Sequence, residues 1–422
     1  MEQAKNRMMY PEPKVDLSVE FCGVEFESPF ILAAAPPTDD LDMVRDAYRM
    51  GWAGAVLKTT SVEGTAVDLA YPMMSALDVE GSRLVGMGNI DLISEHHIDV
   101  VEKRVRELRK EFPEKRTIVS ITGQSRETWT ELARRAREAG ADMIECSFSC
   151  PQGTLGLKPG AMLAQDPVAS AMVVDWVKQG AENTPVIIKL TPQVNDIVEI
   201  ALAVKGAGAN AVCVGNTLPS LMGVGELKRA NDNPSAKPAW VPIPNVGDRS
   251  TWSGLSGPAV KPVSLRCIAQ VSRGAKMPIA GSGGAVTWRD ALEFILLGAS
   301  VVEFCTAVMH YGADIIGDLK EGLSDHIDRL GVERLKDVVG AALGSIVSHE
   351  DLPRGAKWRP LVDRDSCLRC DLCMIACRDG GHRAISVDGE RFPVVDDEKC
   401  VGCALCSSLC PAYCIKMEER KP

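Results

Sequence analysis

Two cysteine-dense runs, CLRCDLCMIACRDGG at 367–381 and CVGCALCSSLCPAYC at 400–414, constrain this chain more than any other feature. The first reads Cys367-x2-Cys370-x2-Cys373-x3-Cys377. The second repeats it as Cys400-x2-Cys403-x2-Cys406-x3-Cys410, followed by Pro411. Three thiolates at x2 spacing wrap one face of an iron–sulfur cubane, and the fourth cysteine of each run lies too far along the chain to return to the same cluster. In two-cluster ferredoxins it ligates the other one. The expected ligand sets are therefore Cys367, Cys370, Cys373 and Cys410 for one [4Fe–4S] cluster, and Cys400, Cys403, Cys406 and Cys377 for the second. Zinc sites use two ligand pairs, usually with a longer gap between them, and fit two in-phase sets of four poorly. The first run departs from the pattern by carrying Arg378 where proline is usual. Cys414 is left over and reads as a small buried hydrophobe.

Two adjacent cubanes pass single electrons and do not select an organic substrate, so the chemistry is expected upstream. From residue 30 to 310, apolar β-branched runs alternate with amphipathic stretches. The runs are PFILAAA (29–35), AGAVLKT (53–59), TIVSIT (117–122), DMIECSFS (142–149), PVIIKLT (185–191), AVCVGNT (211–217), MPIAGSGG (277–284) and SVVEFCT (300–306). They lack polar alternation, as strands buried on both faces do. Eight such units predict an α/β fold, a (β/α)8 TIM barrel, in preference to a doubly wound sheet. The expected organisation is an N-terminal arm at 1–15, the barrel at 16–355 and a small two-[4Fe–4S] ferredoxin-like domain at 356–422. Segment 223–257, rich in Pro, Asn, Ser and Gly, interrupts the barrel pattern. It reads equally as a substrate loop or as a passive excursion.

Barrel enzymes carry their chemistry at the C-terminal ends of the strands. Polar residues gather there: Lys58-Thr59-Thr60, Thr122 to Ser125, Ser147 to Cys150, Lys189 to Thr191, Asn216-Thr217, Gly283-Gly284 and Cys305-Thr306. The glycine-rich GSGGAVTWRDA (281–291) and FCTAV (304–308) follow strands seven and eight, where barrels bind phosphate through free backbone N–H groups and helix N-termini. Beside an electron wire, that phosphate is assigned to FMN, which converts two-electron chemistry into the one-electron steps that cubanes accept. Lys189 would stabilise negative charge on the reduced flavin. Cys150, in ECSFSCPQG (145–153), would exchange a proton with the substrate.

Formal net charge is −10, which gives no electrostatic support to a nucleic-acid role. No apolar stretch reaches the ~18 residues of a membrane span. MEQAKNRMMYPEPKVD lacks the apolar core of a signal peptide, so a cytoplasmic protein is expected.

The motifs FCGVEFESPF, LKTTS, NIDLISE, AGADMIECSFSCPQG, KLTP, GNT, SGLSGPAVKP and GSGG, together with the two cysteine runs, resemble the dihydroorotate dehydrogenase superfamily. More closely, residues 16–418 resemble the pyrimidine-reducing subunits of bacterial NAD-dependent dihydropyrimidine dehydrogenases. The resemblance implies reduction, or reverse oxidation, of an activated C=C bond, most directly that of uracil or thymine. It implies that Cys150 protonates C5 of the pyrimidine as hydride reaches C6. It places Lys58, Thr59, Lys189, Thr191 and Asn216 around FMN, with Ser256, Gly257, Gly283, Gly284, Cys305 and Thr306 completing the site. Asn216, Thr217 and Ser149 would help to hold the substrate. Electrons would arrive from a separate NAD(P)H-oxidising FAD flavoprotein, or a ferredoxin, within an oligomeric assembly. No G-x-G-x-x-G strand–helix unit occurs in this chain, in keeping with a separate NAD site. Two positions depart from the family: Ser147 and Ser125 stand where it carries substrate-reading asparagines. Asparagine both donates and accepts along the amide edge of a pyrimidine, and serine cannot span that edge. The alternatives are the same catalyst acting on another cyclic amide or conjugated carbonyl compound, and an electron-transfer subunit with no substrate of its own.

Overall fold

The computed structural model describes residues 12–78, 84–148, 162–227 and 239–420. The chain divides into two compact units, Met1–Ser345 and Ile346–Pro422. The expected join at 355/356 and this division both fall in or beside 346–357, an exposed stretch with neither helix nor strand.

The first unit is a closed barrel of eight parallel strands. These are β1 (Phe30–Leu32), β2 (Gly54–Thr60), β3 (Arg116–Ile121), β4 (Met143–Ser147), β5 (Val186–Lys189), β6 (Ala211–Val214), β7 (Ile279–Ser282) and β8 (Val301–Phe304). Each pairs with its neighbours in sequence, and β8 closes onto β1 through Val302↔Phe30 and Phe304↔Leu32. All eight fall on the apolar runs expected from the sequence, with β2 and β3 each overrunning by one residue, Thr60 and Arg116. Their residues are buried almost without exception because the outer helices cover one face and the barrel interior the other.

Local chemistry sets where those helices begin and end. Asp40 caps α1 (Leu41–Met50) by accepting from the N–H groups of Asp42 and Met43, and Gly51 ends it at φ 112°; α2 (Ile98–Glu111) follows. Ser125 caps α3 (Arg126–Ala139) in a reciprocal box with Thr128, and Gly140 closes that helix at φ 93°. Thr287 and Asp290 form the same box at the start of the helix Trp288–Leu296.

Segment 223–257 is not a bare loop. Gly223–Leu227 pairs with Ala239–Ile243, and Asn245–Val246 pairs with Arg249–Ser250. Ser253–Ser256 then joins a four-stranded sheet between Leu218–Ser220 and Leu84–Asn89, with Met74–Asp78 at the far edge. Among the described residues, no helix is long and apolar enough to cross a membrane.

The second unit holds two antiparallel ribbons, Trp358–Val362 with Ile415–Glu419 and Ile385–Val387 with Pro393–Val395. It has two helices, Leu372–Gly380 and Leu405–Ser408. Its buried cluster is small, built on Ile385, Cys406, Cys414 and Ile415. A unit of this size with so little apolar core needs a metal staple. The first helix runs through Cys377 and Arg378, whereas the second stops before Cys410-Pro411. Proline has no N–H for a helical bond, so Arg378 in its place accounts for the longer helix.

Candidate active site

A cavity of about 1220 Å³, including its open mouth, sits at the C-terminal ends of the barrel strands. Every strand except β3 contributes residues at or just beyond its end, among them Lys58, Ser147, Lys189, Asn216, Ser282 and Cys305. Of the residues singled out in the sequence, Thr59, Thr217, Ser256, Gly257, Gly283, Gly284 and Thr306 also line it. Ser256 comes from the ordered end of segment 223–257. Its hydroxyl donates to the Met87 carbonyl at 3.1 Å and accepts from the Thr306 hydroxyl at 3.0 Å, tying the accessory sheet to the rim of β8. The Asn216 side-chain carbonyl accepts from the Thr217 N–H at 2.7 Å, which fixes the amide's direction.

Several predicted positions fall elsewhere, and two lie outside the described residues. Thr191 is buried behind the wall and accepts from the Gln193 N–H at 3.2 Å. Ser125 does not line the cavity: its hydroxyl accepts from the Thr128 N–H at 3.3 Å as the α3 cap. The need to satisfy the first turn of α3 accounts for a short hydroxyl there. Thr122, Gly123 and Gln124 line a separate, smaller cavity. Ser149 and Cys150 lie outside the described residues.

The floor of the large cavity holds a charge cluster that the sequence reading missed. Strands β4 and β8 are opposite one another in the ring, and Glu145 on β4 and Glu303 on β8 both turn inward. They meet at Lys189 of β5, whose Nζ lies 3.1 Å from Glu303 Oε2 and 3.5 Å from Glu145 Oε1. Both glutamates are essentially inaccessible to solvent, and Glu145 Oε2 and Glu303 Oε1 have no hydrogen-bond partner. Ligand atoms of Glu145, Glu303 and Cys213 lie within 4.8 Å of one another, and the Lys189 ammonium supplies the cation such a set attracts. Burial alone would lower the Lys189 pKa, but its acidic neighbours, both glutamates included, more than offset that and hold the ammonium charged. Burial, then repulsion from Glu303, pushes Glu145 up from the ordinary 4.5 to about 8. A signal was available in the sequence: a glutamate inside an otherwise apolar strand, in DMIECSFS and in SVVEFCT, needs a buried partner.

The folded chain therefore keeps a proton on Glu145 that the unfolded chain releases. That term destabilises the fold progressively as pH rises from about 4.5 towards about 8, and is constant above it. Glu145→Gln is expected to flatten this limb in thermal melts recorded across the interval. A variant with the same falling limb would place the proton elsewhere.

A second cation, Lys58, lies 3.1 Å from Asp91 Oδ1 and 3.6 Å from Asp39 Oδ2. Burial raises the Asp91 pKa, and Lys58 partly counters this. On the far side, Gly283 and Gly284 have φ of 101° and 94°. A Cβ on Gly284 would stand 2.6 Å from the Lys261 backbone N, and one on Gly283 would stand 2.6 Å from Ser264 Oγ. A backbone this bare and tightly walled could hold a phosphate group, with the lysines on the cavity floor available to the anionic end of a flavin ring. The residues present fit FMN.

In the second unit, one cavity is lined by Cys367, Cys370, Cys373, Cys410 and Cys414, and another by Cys377, Cys400, Cys403 and Cys406. The fourth cysteine of each run has thus crossed to the other run's cavity. The loops around them repeat: Arg369 and Asp371 have φ of 54° and 62°, and Gly402 and Ala404 at the matching positions have 77° and 63°. Left-handed backbone at non-glycine residues costs about 1–2 kcal/mol each and persists where surroundings impose it. Here it curls each loop around its thiols. The Ala384 N–H points at Cys377 Sγ from 3.3 Å, as a thiolate bound to a cluster requires. The residues present fit two [4Fe–4S] clusters.

Comparison with known proteins agrees with this division. The dihydroorotate dehydrogenase family model matches residues 16–327, and a 4Fe-4S dicluster domain matches residues 360–417. The chain is 38% identical over 410 residues to the NAD-dependent dihydropyrimidine dehydrogenase subunit PreA of Escherichia coli, covering 96% of each. It is 30% identical over 358 residues to the chloroplastic dihydropyrimidine dehydrogenase (NADP(+)) of Arabidopsis thaliana, covering 82% of this chain and 81% of that one. It is 33% identical over 334 residues to the catalytic subunit of dihydroorotate dehydrogenase B (NAD(+)) of Thermococcus kodakarensis, covering 78% and 98%.

Proposed function

Because this chain belongs to the dihydroorotate dehydrogenase family and carries a 4Fe-4S dicluster domain, we propose that it reduces the 5,6 double bond of a pyrimidine base such as uracil or thymine, or runs the reverse oxidation. It is an oxidoreductase acting on CH–CH bonds. FMN, when bound, supplies two-electron exchange with the substrate and one-electron exchange with the clusters. The observation that carries the reading is the cavity itself. It sets the glycine cradle, a charged lysine held on buried carboxylates and the Asn216-Thr217 edge around one space.

Each residue has a task on this reading. Gly283 and Gly284 admit the phosphate. Lys189 holds positive charge where negative charge accumulates on reduction. Asn216 and Thr217 orient the substrate, and Ser147 faces it from the end of β4. Cys150 serves as the general acid on the strength of its sequence motif. The clusters are assigned as ligated by Cys367, Cys370, Cys373 and Cys410, and by Cys400, Cys403, Cys406 and Cys377. Electrons come from an NAD(P)H-oxidising FAD flavoprotein or a ferredoxin.

Ser147 supports a second reading. It lines the cavity where the resemblance places asparagine. A serine cannot read both sides of an amide, so another cyclic amide or conjugated carbonyl compound is the alternative substrate. Anaerobic photoreduction followed by mixing with uracil or thymine distinguishes the two. Reoxidation of the flavin with formation of the dihydropyrimidine is the expected result. A flavin that stays reduced in protein with full FMN and iron removes the pyrimidine reading. If pyrimidines are the substrate, Ser147→Asn is expected to lower KM with kcat held within a factor of ~3, the pattern of added uniform binding. An unchanged or raised KM would count against Ser147 as a substrate contact.

A further inference from the structure

The two halves of the cluster unit match in backbone beyond the cysteine runs. Arg383 and Tyr413 both have left-handed φ, 54° and 51°. The Arg383 N–H donates to the Cys377 carbonyl at 3.0 Å, and the Tyr413 N–H donates to the Cys410 carbonyl at 3.1 Å, so both chains turn back onto the fourth cysteine, the first through a turn three residues longer. The next residue is Ala384 in one half and Cys414 in the other, both buried, and each is followed by a buried isoleucine that opens a strand. Ala384 lines the cavity of the second cluster, and Cys414 lines that of the first. Cys414 is therefore the structural counterpart of an alanine, and the fold needs no more than a methyl group there.

The thiol lies 3.4 Å from Cys410 Sγ. The first cavity thus presents five sulfurs to a cluster that takes four, and the second presents four. Cys410 is the ligand that crosses from the other run, so an incoming thiol beside it needs no rearrangement of the Cys367–Cys373 loop.

We propose that Cys414 is an alternative fourth ligand for the first cluster, interchangeable with Cys410. The exchange is not a redox step. The iron–sulfur bond to Cys410 breaks, one to Cys414 forms, and the proton of the Cys414 thiol passes to the departing Cys410 thiolate. The inference rests on the two-cluster reading above, and iron content of the unsubstituted protein tests that reading by itself.

The experiment is iron and acid-labile sulfide per chain, with EPR of the reduced state, on full-length protein purified without oxygen. Unsubstituted protein and Cys414→Ala are expected to hold about eight iron atoms, two [4Fe–4S] clusters. Cys410→Ala is expected to keep both clusters, with an altered EPR signal from the first. Cys377→Ala, whose neighbour is Ala384, is expected to fall to about four iron atoms, as is Cys410→Ala/Cys414→Ala. Placing the missing thiol in the other half, Cys377→Ala/Ala384→Cys, is expected to restore the second cluster. Loss of a cluster from folded Cys410→Ala overturns the proposal. Should Cys410→Ala fail to fold, failure of Ala384→Cys to restore the second cluster overturns it instead. Unsubstituted protein without two clusters would overturn the cluster reading beneath it.

Discussion

Lys189→Met is expected to lower turnover sharply and to weaken the fold. The ammonium sits 3.1 and 3.5 Å from two glutamates that see no solvent. Removing one partner of a buried charge set costs about 3–5 kcal/mol, because the remaining charge has neither water nor a partner. Loss of a preorganised positive group at the reacting centre lowers kcat by about 10²–10³. The two effects separate. Adding Glu145→Gln and Glu303→Gln to Lys189→Met removes the stranded Glu303 charge and the carboxyl beside it, so the melting temperature should recover while turnover stays low. Lys189→Met with the stability and turnover of the parent would show that the triad is neither a structural nor a catalytic centre. Recovery of activity in the triple variant would assign Lys189 a purely structural role.

Gly284→Val should remove FMN while leaving the barrel folded. At φ 94° any β-branched residue is strained, and its Cβ would stand 2.6 Å from the Lys261 backbone N and 2.8 Å from Lys261 Cα. The neighbour here is backbone at the start of the helix Lys261–Gly274, so it cannot simply swing away. Strain of about 1–3 kcal/mol falls on the phosphate cradle. At ~1.4 kcal/mol per tenfold, flavin affinity should fall about 10²-fold, with further loss from the side chain occupying the cradle. Titration of apoprotein with FMN, followed by quenching of flavin fluorescence, measures it. Gly206→Ala is the control. A Cβ at Gly206 meets nothing within 4 Å, and its φ is not left-handed, so affinity should not change. Equal FMN affinity in Gly284→Val would move the phosphate site away from this turn.

The barrel was legible because a parallel strand covered on both faces leaves a continuous apolar signature. SVVEFCT and PVIIKLT needed no partner to be recognised as strands. The glycines of GSGGAVTW were legible because a left-handed turn leaves few other residue types available. Ser125 is ambiguous in the sequence because a polar residue just past a strand end satisfies two descriptions, substrate contact and helix cap. The position of the Thr128 N–H shows the cap. Segment 223–257 has the composition of a loop, yet its last strand pairs across more than 160 residues with Leu84–Asn89, a match that local pattern does not encode.

What the sequence determined by itself is what short-range geometry controls. Cysteine spacing specifies two cubane loops, strand composition specifies burial on both faces, and caps and glycines set where each helix begins and ends. The tertiary structure decided what depends on chain closure. Glu145, Lys189 and Glu303 lie on three strands, two of them on opposite sides of the barrel, and become one charge cluster only when β8 pairs with β1. Cys414 acquires a neighbour in Cys410 and a counterpart in Ala384 only when the two halves of the cluster unit fold onto matching backbones. A buried charge or a fifth thiol is defined by its distance to another group, and no local stretch of sequence carries that distance.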